Sequence, residues 1–329
     1  MIGESSEKIN NQSTLVVDVT YLCNYTCNYC RWSDPETPGR FNLPLSEILA
    51  DENDLKAIGI ERVVLSGGEP LLHPEIGRII EHYSTIVDDV VLITNGWLAD
   101  ISRIEPLVDR GLSGLAFSID SIDASILMRT RDMSPSQVSR TLSNLENISM
   151  NRKKGNLPIE IGVNSVLSSA NASVDAIRAL LGWSEGLGLD YVNFNVIFDD
   201  GFAGKNSPDL LLSSVHADDV MAIVQSLETG PPRILTNTID FWRIVVETLR
   251  GNRLAGSSCG LKDRHAILYR GEFRFCAWLE TPSLGSIGLT DVETVTVARE
   301  GFLSSASGCK TGHHCHCLQR TDHVWGLKK

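Results

Sequence analysis

Three cysteines fall within eight residues, Cys23-Asn-Tyr-Thr-Cys27-Asn-Tyr-Cys30, in a C-x3-C-x2-C spacing. Three thiolates in one short loop can hold three irons of a [4Fe–4S] cube, which leaves the fourth iron without a protein ligand. That open iron is a place for a small molecule to coordinate. Zinc is the rival occupant, but a structural zinc takes four protein ligands and no His or Asp inside the motif completes the set. Five more cysteines, Cys259, Cys276, Cys309, Cys315 and Cys317, lie in the last quarter of the chain, and no thiol stands between the two groups. In a reducing compartment such thiols are seldom disulfides. Thiols scattered through a core would not segregate this way, so the distribution points to metal or cluster ligation.

The composition narrows the setting. Of 329 residues, 42% are hydrophobic, and the formal net charge is −12. That length supports one large domain plus a smaller one. A surface so acidic repels phosphate backbones and anionic lipids, and no Lys/Arg run offsets it, so neither nucleic acid nor a membrane is an expected partner. No run of about 18 apolar residues marks a membrane span. The polar, acidic start from Met1 to Ser13 lacks the basic and apolar regions of a signal peptide, so a cytoplasmic location is expected.

A loop that holds a cluster must be carried by something rigid. Leu15-Val16-Val17-Asp18-Val19 reads as a buried strand that runs directly into Cys23. Further strands are expected at Arg62–Leu65, Val90–Ile93, Gly114–Ile119, Ile159–Val166 and Tyr191–Phe198. Helical patterns separate them: Ile76, Ile79, Ile80 and Tyr83 on one face after Pro74, then helices over Pro135–Met150 and Ala176–Gly186. Alternating strands and helices imply βαβ units and a parallel sheet. Six units fit an α/β fold of the open kind, a partial (β/α)6 TIM-like barrel, better than a closed eight-stranded one. Parallel-sheet enzymes place their chemistry at the C-terminal ends of the strands.

After residue 205 the pattern changes. Val220, Ile223, Val224 and Leu227 make one helical stripe, and Phe241, Ile244, Val245 and Leu249 another. From Gly256 onward the chain is rich in Gly, Ser, Cys and His, a poor core but a plausible metal-stapled module. The expected organisation is a polar segment over 1–13, a barrel over 14–205, a helical connection over 206–255 and a small cysteine-rich extension over 256–329.

C-x3-C-x2-C at the end of the first strand of a βα barrel resembles the signature of the radical S-adenosylmethionine (SAM) superfamily, and Tyr29, the aromatic residue before the third cysteine, agrees with it. The resemblance implies that Cys23, Cys27 and Cys30 ligate a [4Fe–4S] cluster whose open iron binds the amino and carboxylate groups of SAM. It implies reductive cleavage to methionine and a 5′-deoxyadenosyl radical, with a one-electron donor such as flavodoxin or ferredoxin. Ser66-Gly67-Gly68-Glu69-Pro70 follows the second strand, where the family carries its GGEP motif. Two glycines let a backbone approach a ligand closely, and a carboxylate beside free carbonyls suits the ammonium group of SAM. Ser118 and Asp120 at the end of strand four, and Asn164 in strand five, occupy positions that in the family contact the carboxylate or ribose. Thr94-Asn95-Gly96 is a candidate cavity lining, and Arg129 or Arg131 either meets a carboxylate or sits in a solvated helix.

Cys259-x11-Gly271-x4-Cys276 resembles the opening of the Twitch and SPASM extensions of the same superfamily, which hold auxiliary [4Fe–4S] clusters. Leu268 to Phe275 reads as a hairpin turning at Gly271. Cys309, Cys315 and Cys317 depart from the family spacing, with C-x5-C-x-C in place of C-x2-C, and a full SPASM carries more cysteines than the five present. One auxiliary cluster is expected, on Cys259, Cys276, Cys315 and Cys317. Cys309 is left as the odd thiol and a candidate hydrogen-atom donor. His313, His314 and His316 leave a zinc knot open as an alternative. The substrate expected from the compact chain is a small polar molecule of amino-sugar or nucleoside type, oxidised or epimerised. Modification of a ribosomal peptide and a non-enzymatic zinc-stapled binding module are the other two readings.

Overall fold

The computed structural model describes residues 13–30, 39–197, 207–252, 265–275 and 283–306. The polar start and all five C-terminal cysteines lie outside the described residues. Nine strands form one sheet in the order β6-β5-β4-β3-β2-β1-β7-β8-β9. The first six are the expected parallel ones: β1 (Thr14–Thr20), β2 (Arg62–Gly67), β3 (Asp89–Thr94), β4 (Gly114–Ser118), β5 (Glu160–Leu167) and β6 (Tyr191–Val196). Helices α1 (Glu52–Ile58), α2 (Ile76–Ser84), α3 (Ile101–Val108), α4 (Ala124–Arg131), α5 (Pro135–Lys153) and α6 (Val174–Leu187) connect them. The fold is α/β with a mostly parallel sheet, as the βα rhythm predicts.

Local chemistry sets the helix ends. Asp51 and Ser134 each close a capping box at the starts of α1 and α5, satisfying amide donors that a helix N-terminus otherwise leaves free. Pro135 sits at the first turn of α5, where its missing N–H costs nothing. Gly59 and Gly188 end α1 and α6 in the left-handed conformation, which glycine adopts without a Cβ penalty.

Alternation along the strands separates two apolar layers. Leu15, Val17, Val63, Leu65 and Leu92 face the helices in the main core. Val16, Val64, Val91, Ala116 and Tyr191 form a second buried cluster on the opposite, inner face. Gly162 belongs to that layer, because a Cβ there would lie 2.2 Å from the Tyr191 ring. Below it, at the N-terminal ends of the strands, the fully buried Arg62 lies 3.7 Å from Asp89 and 3.5 Å from Glu160. The inner face is thus packed shut at one end and polar at the other.

The two helical stripes are α7 (Ala217–Thr229) and α8 (Ile239–Leu249), which pack on each other through Val220, Ile223, Val224 and Leu227 on one side and Phe241, Val245 and Leu249 on the other. With the turns before it, the stretch Pro208–Thr229 is long and apolar enough to cross a membrane by length and composition, although no unbroken apolar run was expected to mark a span. Asp218, Asp219 and Glu228 interrupt that run, and the buried face of α7 is covered by α8.

The hairpin expected around Gly271 is present as β7 (His265–Tyr269) and β8 (Glu272–Arg274), with Arg270 and Gly271 both at positive φ in the turn. Its core differs from expectation. Ala266, Leu268, Phe273, Phe275 and Leu284 are buried, and β7 pairs in parallel with β1, from Thr14↔His265 to Val17↔Leu268. A short β9 (Gly285–Ser286) and α9 (Val292–Ala306) follow. Most apolar positions of this hairpin are buried, with Tyr269 exposed, which composition over a long window conceals.

Candidate cluster-binding site

The chain leaves β1 at Thr20 and enters the cysteine loop at the C-terminal end of the sheet. Cys27 is buried, Cys23 and Cys30 are half-buried, and all three are free thiols. The Cys30 amide donates to the Cys27 carbonyl at 3.0 Å, folding the last two cysteines into a turn. Cys23 sulfur accepts from the Tyr25 amide at 3.4 Å and faces the Asn95 side-chain amide at 3.8 Å. Burial pushes the Cys23 thiol up to about 11, and burial likewise raises Cys27; each thiolate also opposes the other and Cys30. A cationic centre among them removes both penalties, because a coordinating thiol is deprotonated outright. Three thiolates in one loop suit three irons of a [4Fe–4S] cluster, which leaves its fourth iron open.

Gly67 and Gly68 are explained first by the protein's own backbone. A Cβ on Gly68 would lie 2.1 Å from the Leu22 carbonyl oxygen, and one on Gly67, at φ +130°, 2.3 Å from that of Thr20. The contact is made by two short hydrogen bonds, Gly68 N–H to Thr20 O and Glu69 N–H to Leu22 O, both 2.7 Å. The close approach that sequence assigned to a ligand is therefore made to the cysteine loop itself.

Glu69 is fully buried and points across to β3. Its carboxylate accepts from the Leu71 amide at 3.0 Å, the Thr94 hydroxyl at 2.9 Å and the Asn95 amide at 2.7 Å. Burial lifts its pKa to about 7, and these donors pull against that rise. These three donors fill three of about four acceptor positions of the carboxylate. Pro70 starts the short 3-10 turn Pro70–Leu72 that Glu69 caps. Asn95 ties the β3 end to the loop by donating to Asn24 Oδ1 at 2.8 Å.

Ser118, at the end of β4, and Asn164, in the middle of β5, are register partners. Asn164 is 9% exposed and its Oδ1 has no hydrogen-bond partner, an orphaned acceptor of the kind a ligand hydroxyl satisfies. Asp120 is placed differently from Asn164. Its carboxylate accepts from Arg131 at 2.7 Å, Tyr29 Oη at 2.8 Å and the Val166 amide at 2.9 Å. Tyr29 and Asp120, expected as separate cofactor contacts, are thus partners of each other. Of the two arginines left open by sequence, Arg131 is buried on Asp120, whereas Arg129 is half exposed and pairs with Asp209 at 3.1 Å. Sequence reasoning missed Asn24, Asn28 and Thr26 as anchors. Asn28 bonds the carbonyls of Thr130 and Arg129, and Thr26 bonds Asp132. The one available signal was the run Arg129-Thr-Arg-Asp132 soon after Asp120. Cys259, Cys276, Cys315 and Cys317, the residues expected to hold an auxiliary cluster, and Cys309, the expected odd thiol, lie outside the described residues.

Comparison with known proteins adds three findings. Residues 17–165 match the model of the Radical SAM superfamily. Among curated proteins, the GTP 3′,8-cyclase of Chlorobaculum tepidum is 34% identical over 135 residues, covering 39% of each chain. The AdoMet-dependent heme synthase of Methanosarcina barkeri is 31% identical over 159 residues, 47% of this chain and 42% of that one. The chain thus spans about two fifths of the length of these relatives. Among solved structures, Streptococcus suis SuiB bound to precursor peptide SuiA superposes with a TM-score of 0.64 at 14% identity, over 95% of this chain and 72% of that one. Native anSMEcpe with bound AdoMet gives 0.61 at 15% identity, over 96% and 91%. At such identities the likeness is one of fold.

Proposed function

We propose that this chain, whose residues 17–165 match the Radical SAM superfamily model, is a radical SAM enzyme that cleaves SAM reductively and takes a hydrogen atom from a small polar substrate. The observation that carries the reading is the locked pair of segments at the end of β1 and β2. Cys23, Cys27 and Cys30 share one loop, and the Gly67-Gly68-Glu69 backbone is bonded directly onto it. A [4Fe–4S] cluster on these cysteines would supply the electron that splits SAM into methionine and a 5′-deoxyadenosyl radical. The chain's own contribution is placement. The Gly67-Gly68 segment and the remaining acceptor position of Glu69 suit the methionine ammonium, and Ser118 and the orphaned Asn164 Oδ1 suit the carboxylate and ribose. Holding the reacting groups in one geometry is where a protein gains most in such a reaction.

The inner face above Val16, Val64 and Tyr191 supports the substrate class. By strand alternation Asp18, Ser66, Ser118, Asn164 and Asn193 share that face, a polar layer that suits a hydroxyl- or amine-bearing molecule of the amino-sugar or nucleoside type. Oxidation or epimerisation is the outcome we favour. A second [4Fe–4S] cluster on Cys259, Cys276, Cys315 and Cys317, with Cys309 as hydrogen-atom donor, would serve it. The electron donor would be a flavodoxin or ferredoxin, and the setting cytoplasmic. The fold likeness to structures solved with bound peptides, SuiB among them, favours one second reading, a peptide substrate. The test is anaerobic reconstitution followed by dithionite and SAM. Release of 5′-deoxyadenosine, accelerated by a small polar substrate, is expected; a colourless zinc protein that leaves SAM intact would end the reading.

A further inference from the structure

We infer that Arg131 is a positioning residue for the cysteine loop, and that its buried charge raises the reduction potential of the cluster held there, with Asp120 as the opposing charge. The inference rests on the reading that Cys23, Cys27 and Cys30 hold a [4Fe–4S] cluster.

Arg131 is the last residue of α4 and is 5% exposed. It donates to Asp120 Oδ1 at 2.7 Å, and its guanidinium carbon lies 5.7 Å from the centroid of the Tyr29 ring. Tyr29 Oη donates to the other carboxylate oxygen at 2.8 Å, and the Val166 amide fixes Oδ1 from the β5 side. Next to this pair the loop is bonded to the end of α4 at three more points. Asn28 N–H reaches Thr130 O at 3.0 Å, Asn28 Nδ2 reaches Arg129 O at 2.7 Å, and Thr26 Oγ1 reaches Asp132 Oδ2 at 2.9 Å. Asp132 itself sits at φ +52°, a left-handed conformation that costs most residues but that a short polar side chain tolerates. Residues 26, 28 and 29, which separate the second and third cysteines from their neighbours, are therefore set by Asp120 and residues 129–132.

A positive charge so placed does more than hold a loop. In a water-poor site a charge acts over several ångströms with little screening, whereas the half-exposed Arg129 is screened. Arg131 stands beside the loop itself, against the ring of Tyr29, the residue before Cys30, and on the carboxylate that Tyr29 also bonds. Reduction brings one more negative charge to the loop, so Arg131 favours the reduced state and Asp120 opposes it. Cluster potentials respond to local charge, hydrogen bonding and exposure in this way.

The experiment uses the full chain, reconstituted anaerobically, with iron content and the midpoint potential read from the electron paramagnetic resonance signal that the Cys23, Cys27 and Cys30→Ala variant lacks. Arg131→Met should shift the potential negative and Asp120→Asn should shift it positive, read on the chains that load iron, whose share should fall as the loop loses an anchor. Arg131→Lys should return it toward wild type, and the double variant Arg131→Met/Asp120→Asn should fall between the two singles. A merely structural role would move both singles the same way or not at all, and either result overturns the charge assignment. Loss of iron in every variant, the double included, also overturns it and leaves Arg131 as scaffold alone. Absence of the signal from the wild-type chain would fail the cluster reading instead.

Discussion

Each end of the barrel buries an arginine, and the two are held differently. At the end away from the cysteine loop, Arg62 faces Asp89 and Glu160 at 3.7 and 3.5 Å, and both carboxylates are about a fifth exposed. At the loop end, Arg131 meets a fully buried Asp120 at 2.7 Å. The first pair of contacts is longer than a good hydrogen bond and open to water; the second is short and dry. The closed end needs its charges balanced, whereas the open end needs its atoms fixed. Tight geometry is concentrated where a cofactor must be held, and looser charge matching suffices where only the fold is at stake.

Four substitutions break or sharpen this contrast. The largest effect is expected from replacing Cys23, Cys27 and Cys30 together by Ala, which removes every protein anchor of the first cluster. Iron should fall by about four atoms per chain, and 5′-deoxyadenosine formation should vanish; residual dithionite-dependent cleavage would move the site elsewhere. Gly68→Ala comes next. Its Cβ would sit 2.1 Å from a backbone carbonyl that cannot rotate away. Chemical denaturation should show a loss of roughly 1–3 kcal/mol, together with loss of loop iron. Retention of full iron would mean the β1 and β2 ends can separate without harm.

Arg62→Met should destabilise the fold by about 1–3 kcal/mol, less than the breaking of a fully buried pair because its partners reach water. Iron loading should be unaffected, and if it collapses as in Gly68→Ala the two ends are not independent. The smallest effect is expected from Glu69→Gln in the apoprotein. A carboxylate whose folded pKa is raised to about 7 contributes stability when protonated, below its unfolded value of about 4.3, and loses that contribution as pH rises through 7. The glutamine does not titrate. Its stability relative to wild type should therefore improve between about pH 4.5 and 7, and a constant difference across that range would show that Glu69 stays ionised.

The parallel sheet and its βα rhythm were legible because β1 to β4 carry near-continuous apolar runs, which buried parallel strands require, while β5 and β6 are broken by Asn164, Asn193 and Asn195. The cysteine loop was legible because three thiols in eight residues have few other uses. The pairing of β7 with β1 was not, since it joins residues far apart in the chain and leaves no local periodic mark. Nor was the division of labour among the polar residues. A sequence shows that Tyr29, Asp120 and Arg131 are present, but not that a single carboxylate serves both of the others. Glu69 was read together with Gly67 and Gly68, yet two of its three donors come from Thr94 and Asn95 at the end of β3, where only Thr94-Asn95-Gly96 hinted at a role.

The parallel pairing of β1 with β7 also bears on how the molecule is made. β1 leaves the ribosome well before β7, and the edge that β7 covers stays open until the chain has grown past residue 265. Until then an apolar strand that carries the cluster loop offers an open edge to any neighbour. Nascent or truncated chains that stop short of β7 should thus associate through that edge. Iron loading, if it needs both edges of β1 secured, is then a late event in the life of each molecule.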